Sequence, residues 1–459
     1  MTTLYRPKLL YRDGGFVAGA GLLVSDAGVI LPPNADAVAD RVVELPGKAL
    51  LPGFVNAHSH AFQRLIRGRA ESRAGSGQDF WSWRGTMYRA ANALGPEDVY
   101  AASRMVFLEM ALAGITTVGE FHYLHNAPDG RPYDDPNLLA KQVIAAARSV
   151  GLRIVLLRVL YVRSGFEVAR DLGQVRFFET GEAFLTNMDA LMRDCSGEAE
   201  VGFGVAPHSV RAVPLGELKK TAEWNRHAKL PLHIHISEQV AENEACMREH
   251  GVTPVSLLER ERILSPEFTA VHAIHVTDAE MKALAQVGAS VCACPTTERN
   301  LGDGVFPADR AMALGVRVAL GTDSQAQVDP MEDARELEYH LRLVEQKRGI
   351  LDQIDGVPIA RRLLECATMN GSRALGLNGG ELKPGMAADF ITVDLKDAAI
   401  AGHSAEDLLP LLVFALRPAA ARDVVVNGKM IVCDGRHAIA DDITAQYAEV
   451  HRKVWRTGE

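Results

Sequence analysis

The sequence predicts an α/β protein: a TIM-like (β/α)8 barrel with a small β-sandwich domain built from both chain ends. Three observations carry that prediction. Between about residues 51 and 375, eight apolar strand candidates alternate with helix-length stretches, which is the pattern of parallel strands joined by crossover helices. Four of those strands end in side chains of metal-ligand type, and barrels of this kind place their active sites at the C-terminal strand ends. Outside these limits the alternation stops and short strand-like pieces sit between turn signals. Residues 1–50 are therefore expected to form the N-terminal part of the sandwich, residues 51–375 the barrel, and residues 376–459 the rest of the sandwich plus a terminal helix.

The first fifty residues offer strand-like pieces at 8–11, 21–24 and 41–45, separated by Asp13-Gly14, Pro32-Pro33 and Pro46-Gly47. The eight barrel candidates are 53–60, 116–123, 153–161, 201–210, 230–238, 269–276, 289–296 and 316–324. Helices are expected between them, for instance at 96–113, which opens on Pro96-Glu97-Asp98 and closes at Gly114, and at 214–227. The stretch 78–84, with Trp81 and Trp83, reads as part of a long aromatic loop. Past residue 375, strand-like pieces return at 389–394 and 423–432, the second containing the hairpin signal Asn427-Gly428. An amphipathic tail at 440–455 predicts the terminal helix. Neither end holds enough strands to be stable alone, so the two are expected to pair with each other.

Composition narrows the function. With 459 residues, 47% of them hydrophobic, the chain can bury a large core. A formal net charge of -9 argues against nucleic acid or an anionic membrane as the main partner. The cysteines at 195, 246, 292, 294, 366 and 433 show no disulfide framework, which fits a reducing compartment. The first residues lack an apolar signal core and no segment approaches membrane-spanning length, so a cytoplasmic location is expected.

His58 and His60 lie two apart on a strand and so share a face. Such a pair alone is more often two buried histidines than a site. Here His235 with Glu238, His272, and Asp323 end other strands, and ligands gathered from separated strands suit a catalytic metal better than a structural finger. His122, His125, His233 and His275 have no spacing argument and read as structural or supporting residues. Cys292 and Cys294 read as small buried residues without a role.

Taken together, His58-Ser59-His60 after Pro52-Gly53, the run from Leu112 to Val118, His235 with Glu238, His272, Gly321-Thr322-Asp323 and the run from Leu382 to Phe390 resemble the amidohydrolase superfamily over nearly the whole chain. Within it the chain is similar to the cytosine-deaminase-like branch and, more closely, to formimidoylglutamate deiminases of histidine degradation. The resemblance implies one divalent metal ion, usually zinc, held by His58, His60, His235 and Asp323, with Glu238 and His272 close by. Binuclear relatives commonly carry a carboxylated lysine at the end of the fourth strand; residues 201–210 contain no lysine, which favours one metal.

The chemistry agrees with such roles. A divalent cation lowers the pKa of a water it binds toward neutrality, and the proton released needs a base, for which Asp323 is the candidate. Glu238 has the opposite strand parity to His235, so the strand must turn before Glu238 can protonate a departing nitrogen. Otherwise it is a surface carboxylate at a helix start. His272 is the candidate to hydrogen-bond the attacking oxygen. The resemblance further implies that Gln63, Arg84, Tyr123, His208 and Arg211 line a pocket for a small-molecule dicarboxylate bearing a formimino group, with arginine as the natural bidentate partner of a carboxylate. The expected reaction is hydrolysis of N-formimino-L-glutamate to N-formyl-L-glutamate and ammonia, by a chain with neither nucleic-acid nor membrane partner and with room for a homodimer. Two other readings stay open: a deaminase of an aminated heterocycle such as guanine or an adenosine derivative, and a metal-free scaffold protein of the same fold.

Overall fold

The computed structural model describes residues 1–33, 39–69, 71, 79–166, 168, 171–417 and 420–456. Its barrel strands are β1 (Phe54–Ser59), β2 (Ile115–His122), β3 (Arg153–Leu160), β4 (Val201–Pro207), β5 (Leu232–Ile236), β6 (Phe268–His272), β7 (Ser290–Ala293) and β8 (Arg317–Leu320). They form one sheet in chain order, each parallel to the next. Helices fill the crossovers, among them Pro96–Leu112, Leu138–Val150, Leu215–Ala228 and Asp278–Val287. The strands are apolar because both faces are covered. In β3, Ile154 through Leu160 are all buried, some against the barrel interior and some against the helices.

Closure between β8 and β1 is made by little backbone. One bridge pairs Ser59 with Asp323. The Asp323 amide donates to the His58 carbonyl at 3.0 Å, and the His60 amide donates to the Asp323 carbonyl at 3.0 Å. Close approach here depends on Gly321, where a Cβ would lie 2.7 Å from the His58 Cβ.

Both chain ends join in a second sheet of eight strands, built from Thr2–Arg12, Gly15–Ala18, Leu22–Ser25, Arg41–Pro52, Phe390–Asp394, Ala421–Val426, Lys429–Cys433 and Arg436–His437. Arg41–Pro52 pairs parallel with Thr2–Arg12 on one side and antiparallel with Phe390–Asp394 on the other, so neither end is left as an isolated hairpin. Tyr5, Leu10, Leu50 and Phe390 share a small core on this sheet. The Asn427-Gly428 pair turns the hairpin with φ of 49° and 74°, as a two-residue turn between twisted strands requires. Arg41–Pro52 continues through Gly53 directly into β1, anchoring the strand that carries the histidine pair. A side chain at Gly53 would collide with the Thr116 methyl at 2.2 Å.

The terminal helix Ala440–Arg456 lies against Pro96–Leu112 and the segment after β1, where the Trp455 indole donates to the Leu65 carbonyl at 3.0 Å. No described helix is long and apolar enough to cross a membrane. The expected loop at 78–84 is corrected: helix α1 spans Asp79–Ala93 and carries Trp83 and Arg84, while Gln78 lies outside the described residues. Met87, Ala90 and Ala91 bury one side of α1 at helical spacing, and Trp83 lies four residues before Met87 on the same stripe.

Candidate metal centre and active site

Three strand ends bring four side chains to one point. His58 and His60 lie at the end of β1, His235 near the end of β5, and Asp323 just past β8; their exposures are 0%, 3%, 7% and 5%. The Nε2 atoms of His58 and His60 are 3.1 Å apart, those of His58 and His235 3.1 Å, and those of His60 and His235 3.3 Å. Asp323 Oδ1 lies 3.1 Å from His60 Nε2 and 3.5 Å from His58 Nε2. Ligands at about 2.0–2.1 Å from a tetrahedral zinc would sit about 3.3–3.4 Å from one another, so the spacing fits one small cation.

Protonation states make the same point. His60 Nδ1 faces the Phe121 carbonyl at 2.9 Å, and His235 Nδ1 faces the His208 carbonyl at 3.2 Å. A carbonyl only accepts, so both Nδ1 atoms carry the proton and both Nε2 atoms present lone pairs. Burial pushes His58 down to about 3, against the pull of Asp323, and burial plus neighbouring imidazoles holds His235 well below its ordinary value. Burial alone would raise Asp323, but His58 and His60 hold it well below the usual carboxylate range. Lone pairs and a carboxylate oxygen crowded within hydrogen-bonding distance repel unless a cation lies among them. The donor set therefore fits a divalent metal.

Around this group, backbone geometry turns the strand ends. Ser237 has φ of 51°, which swings Glu238 out of the strand parity that would point it away. His272 (φ 70°) and Asp323 (φ 45°) also adopt the left-handed region, which costs a non-glycine residue about 1–3 kcal/mol and is tolerated where surrounding structure enforces it. As placed, His272 Nε2 lies 3.9 Å from Glu238 Oε1 and 3.8 Å from Asp323 Oδ2. Its Nδ1 lies 3.3 Å from Glu298 Oε1. Burial works to lower His272, yet Glu238, Glu298 and Asp323 together raise it well above its ordinary value.

A cavity of about 60 Å³ opens over the cluster, and Gln63, Arg84, Tyr123, His208 and Arg211 all line it together with Glu238, His272 and Asp323. Gln63 Nε2 donates to the Tyr123 hydroxyl at 2.7 Å, and Arg84 Nε donates to the Tyr88 hydroxyl. Arg211 Nε is buried without a hydrogen-bond partner. Arg84, Arg211, His235 and Glu238 also border an outer cavity of about 370 Å³. Of the four histidines without a spacing argument, three are held by carbonyls, His125 by Val159, His233 by Ala374 and His275 by Asp303, at 2.8–2.9 Å, whereas His122 Nε2 is buried without a hydrogen-bond partner.

Sequence reasoning missed several neighbours. Glu298, at the start of the helix Pro295–Leu301, also accepts the Cys294 amide at 2.8 Å; a lone carboxylate at a helix start gives no signal of a histidine partner. His272, Cys294 and Glu298 form a second close group, but the Cys294 thiol is pushed well up by burial and Glu298 is spent on the other two, which suits orientation of His272 better than ligation. Of the aromatic walls, Trp83 lies in the aromatic stretch singled out from the sequence, whereas Tyr88, Tyr161 and Phe177 were missed.

The amidohydrolase family model matches residues 49–431. The chain is 37% identical over 440 residues to the formimidoylglutamate deiminase of Pseudomonas aeruginosa, spanning 95% of this chain and 96% of that protein. It is 28% identical over 437 residues to the 5-methylthioadenosine/S-adenosylhomocysteine deaminase of Pyrococcus furiosus, spanning 93% and 94%. The crystal structure of an amidohydrolase from Brucella melitensis superposes with a TM-score of 0.90 at 33% identity, covering 98% of this chain and 99% of that one. A zinc-bound adenosine deaminase from Xanthomonas campestris superposes with a TM-score of 0.84 at 23% identity, covering 99% and 98%, a likeness of fold alone.

Proposed function

The chain belongs to the amidohydrolase family, hydrolases acting on carbon–nitrogen bonds, and from that premise we propose that it is a formimidoylglutamate deiminase converting N-formimino-L-glutamate and water to N-formyl-L-glutamate and ammonia in histidine degradation. The observation that carries this reading is the lining of one cavity by His60, His235 and Asp323 of the four-residue cluster, an acid/base group and two arginines. His58, His60, His235 and Asp323 would hold the ion, most simply one zinc. Bound there, it would supply Lewis acidity that makes water acidic enough to attack at neutral pH.

The chain's own residues do the rest. Asp323, kept ionised by His58 and His60, takes the proton of the attacking water. His272, kept charged by the carboxylates around it, donates a hydrogen bond to the attacking oxygen. Glu238 shuttles the proton to the departing nitrogen, so that ammonia leaves instead of an amide anion. Arg84 and Arg211 pair with the substrate carboxylates, and Gln63, Tyr123 and His208 shape the space between them and the reacting carbon. The outer cavity gives the dicarboxylate end a route in.

The aromatic walls favour a second reading, an aminated heterocycle, since rings stack on Trp83, Tyr88, Tyr161 and Phe177. Two arginines in so small a site weigh against a neutral ring. Ammonia release from N-formimino-L-glutamate, guanine and adenosine derivatives separates the readings: turnover confined to the formimino substrate supports the deiminase, and turnover of a heterocycle alone would replace it.

A further inference from the structure

Five buried side chains link the strand ends that carry His58, His60 and Asp323, and no part of the reaction above uses them. Asn56, Ser59, Glu120, Thr322 and Gln325 are each at most 3% exposed. Their hydrogen bonds run in one direction only. Gln325 Nε2 faces the Asp323 carbonyl at 2.9 Å, which identifies that end of the amide as the donor, and it also donates to Ser59 Oγ at 2.9 Å. Ser59 then has its own hydrogen for Glu120 Oε2, at 2.6 Å. At the other end, Gln325 Oε1 accepts from the Thr322 hydroxyl at 2.9 Å, so Thr322 Oγ1 accepts from Asn56 Nδ2 at 2.7 Å. Asn56 Oδ1 takes the Thr322 amide at 3.0 Å, and Glu120 Oε1 takes the Ala61 amide at 2.7 Å.

We propose that this chain of hydrogen bonds is a clasp, a set of positioning residues that holds β1 and β8 in register and thereby governs how firmly the metal is retained. Its place in the fold argues for that role. The seam it crosses is the one where the barrel closes by a single bridge, whereas the neighbouring β7–β8 pair has a ladder of four residues. Ser59 lies between two ligands, and Thr322 and Gln325 bracket the third. Ser59 also has the opposite strand parity to His58 and His60, so altering it leaves all four donor atoms in place. Asn56–Thr322 and Ser59–Gln325 span the seam, and Ser59–Glu120 ties β1 to β2. Outer-shell groups bonded directly to ligand side chains typically contribute about 10- to 100-fold to metal affinity, and the clasp, which reaches Asp323 through its backbone carbonyl, is assigned an effect of that order.

The inference rests on the metal reading of the four-residue cluster and is independent of the substrate. Its sharpest probe is Glu120→Gln, which preserves shape but offers one acceptor oxygen to two donors, Ser59 Oγ and the Ala61 amide. Ser59→Ala, which removes one atom, is the milder companion. The full-length wild type and both variants are loaded with zinc, and zinc transfer to a colorimetric chelator is timed. Thermal midpoints are recorded with and without zinc. Both variants are expected to release zinc about 10- to 100-fold faster than the wild type, and the gap between zinc-loaded and zinc-free midpoints to shrink. Release within twofold of the wild type, or midpoints lowered equally with and without zinc, would overturn the clasp and leave the metal reading standing. A wild type that takes up no zinc would overturn both.

Discussion

Arg211 offers the most direct handle on substrate choice. It follows β4, borders both cavities, and its Nε is buried without a hydrogen-bond partner. Burial works against its charge, but Tyr161, Glu242 and Glu238 nearby raise it, so a cation waits at the cavity wall with unused donor capacity. A hydrogen bond to a charged partner contributes about 1.5–3 kcal/mol, which corresponds to about 10- to 150-fold in kcat/KM. Arg211→Met keeps the apolar stem and removes the charged fork. Steady-state ammonia release should therefore show that loss for N-formimino-L-glutamate, with metal content unchanged, and a much smaller loss for a neutral formimino compound. Arg84→Met should behave alike, with a loss of at least about tenfold. Equal losses for charged and neutral substrates would refute the reasoning, because the arginines would then only maintain structure.

Other outcomes follow from neighbouring groups. Glu238→Gln should keep its metal, measured by elemental analysis, and lose about 10²- to 10⁴-fold in turnover, since the amide retains shape but cannot exchange a proton. Glu298→Ala should lower turnover by about 10- to 100-fold by freeing His272 Nδ1, whereas Glu298→Gln, which still offers an acceptor oxygen, should recover part of it; equal rates for the two would remove the orienting role. Away from the site, Glu179 pairs with the fully buried Arg158. Burial alone would raise Glu179, but His125, Arg158 and Asn187 hold it below its ordinary value, so its contribution is present above the ordinary carboxylate pKa and is lost as pH falls through the lowered one. Glu179→Ala should thus cost about 3–5 kcal/mol near pH 7 and converge on the wild type in acid, as read by denaturant melts at several pH values.

The barrel was legible in the sequence because its strands are apolar on both faces and side chains of metal-ligand type sit at their ends, where a period of two puts His58 and His60 on one side. Glu238 shows how far parity reaches: the mismatch with His235 demanded a turn, and Ser237 at φ 51° makes it. Helix α1 escaped although Phe80, Trp83, Met87, Ala90 and Ala91 keep helical spacing in the sequence, because Gly85 and the run Gly75-Ser76-Gly77 just before the helix are loop signals that compete with that stripe. Glu120 carried a usable sign, a carboxylate between Gly119 and Phe121 in a strand candidate of the barrel, which once buried must find donors. Glu298 and Gln325 carried none, since Glu298 meets His272 at the end of β6 and Gln325 meets Ser59 across the β8–β1 seam, and no local pattern records either pairing.

The central claim is that one metal ion in the His58–His60–His235–Asp323 cluster enables hydrolysis of N-formimino-L-glutamate. Metal-stripped protein titrated with zinc, while N-formyl-L-glutamate and ammonia are followed together, tests it in one experiment. Both products should appear in equal amounts, at a rate that climbs linearly and levels at one zinc per chain. A plateau at two, or full turnover by the stripped protein, would contradict it.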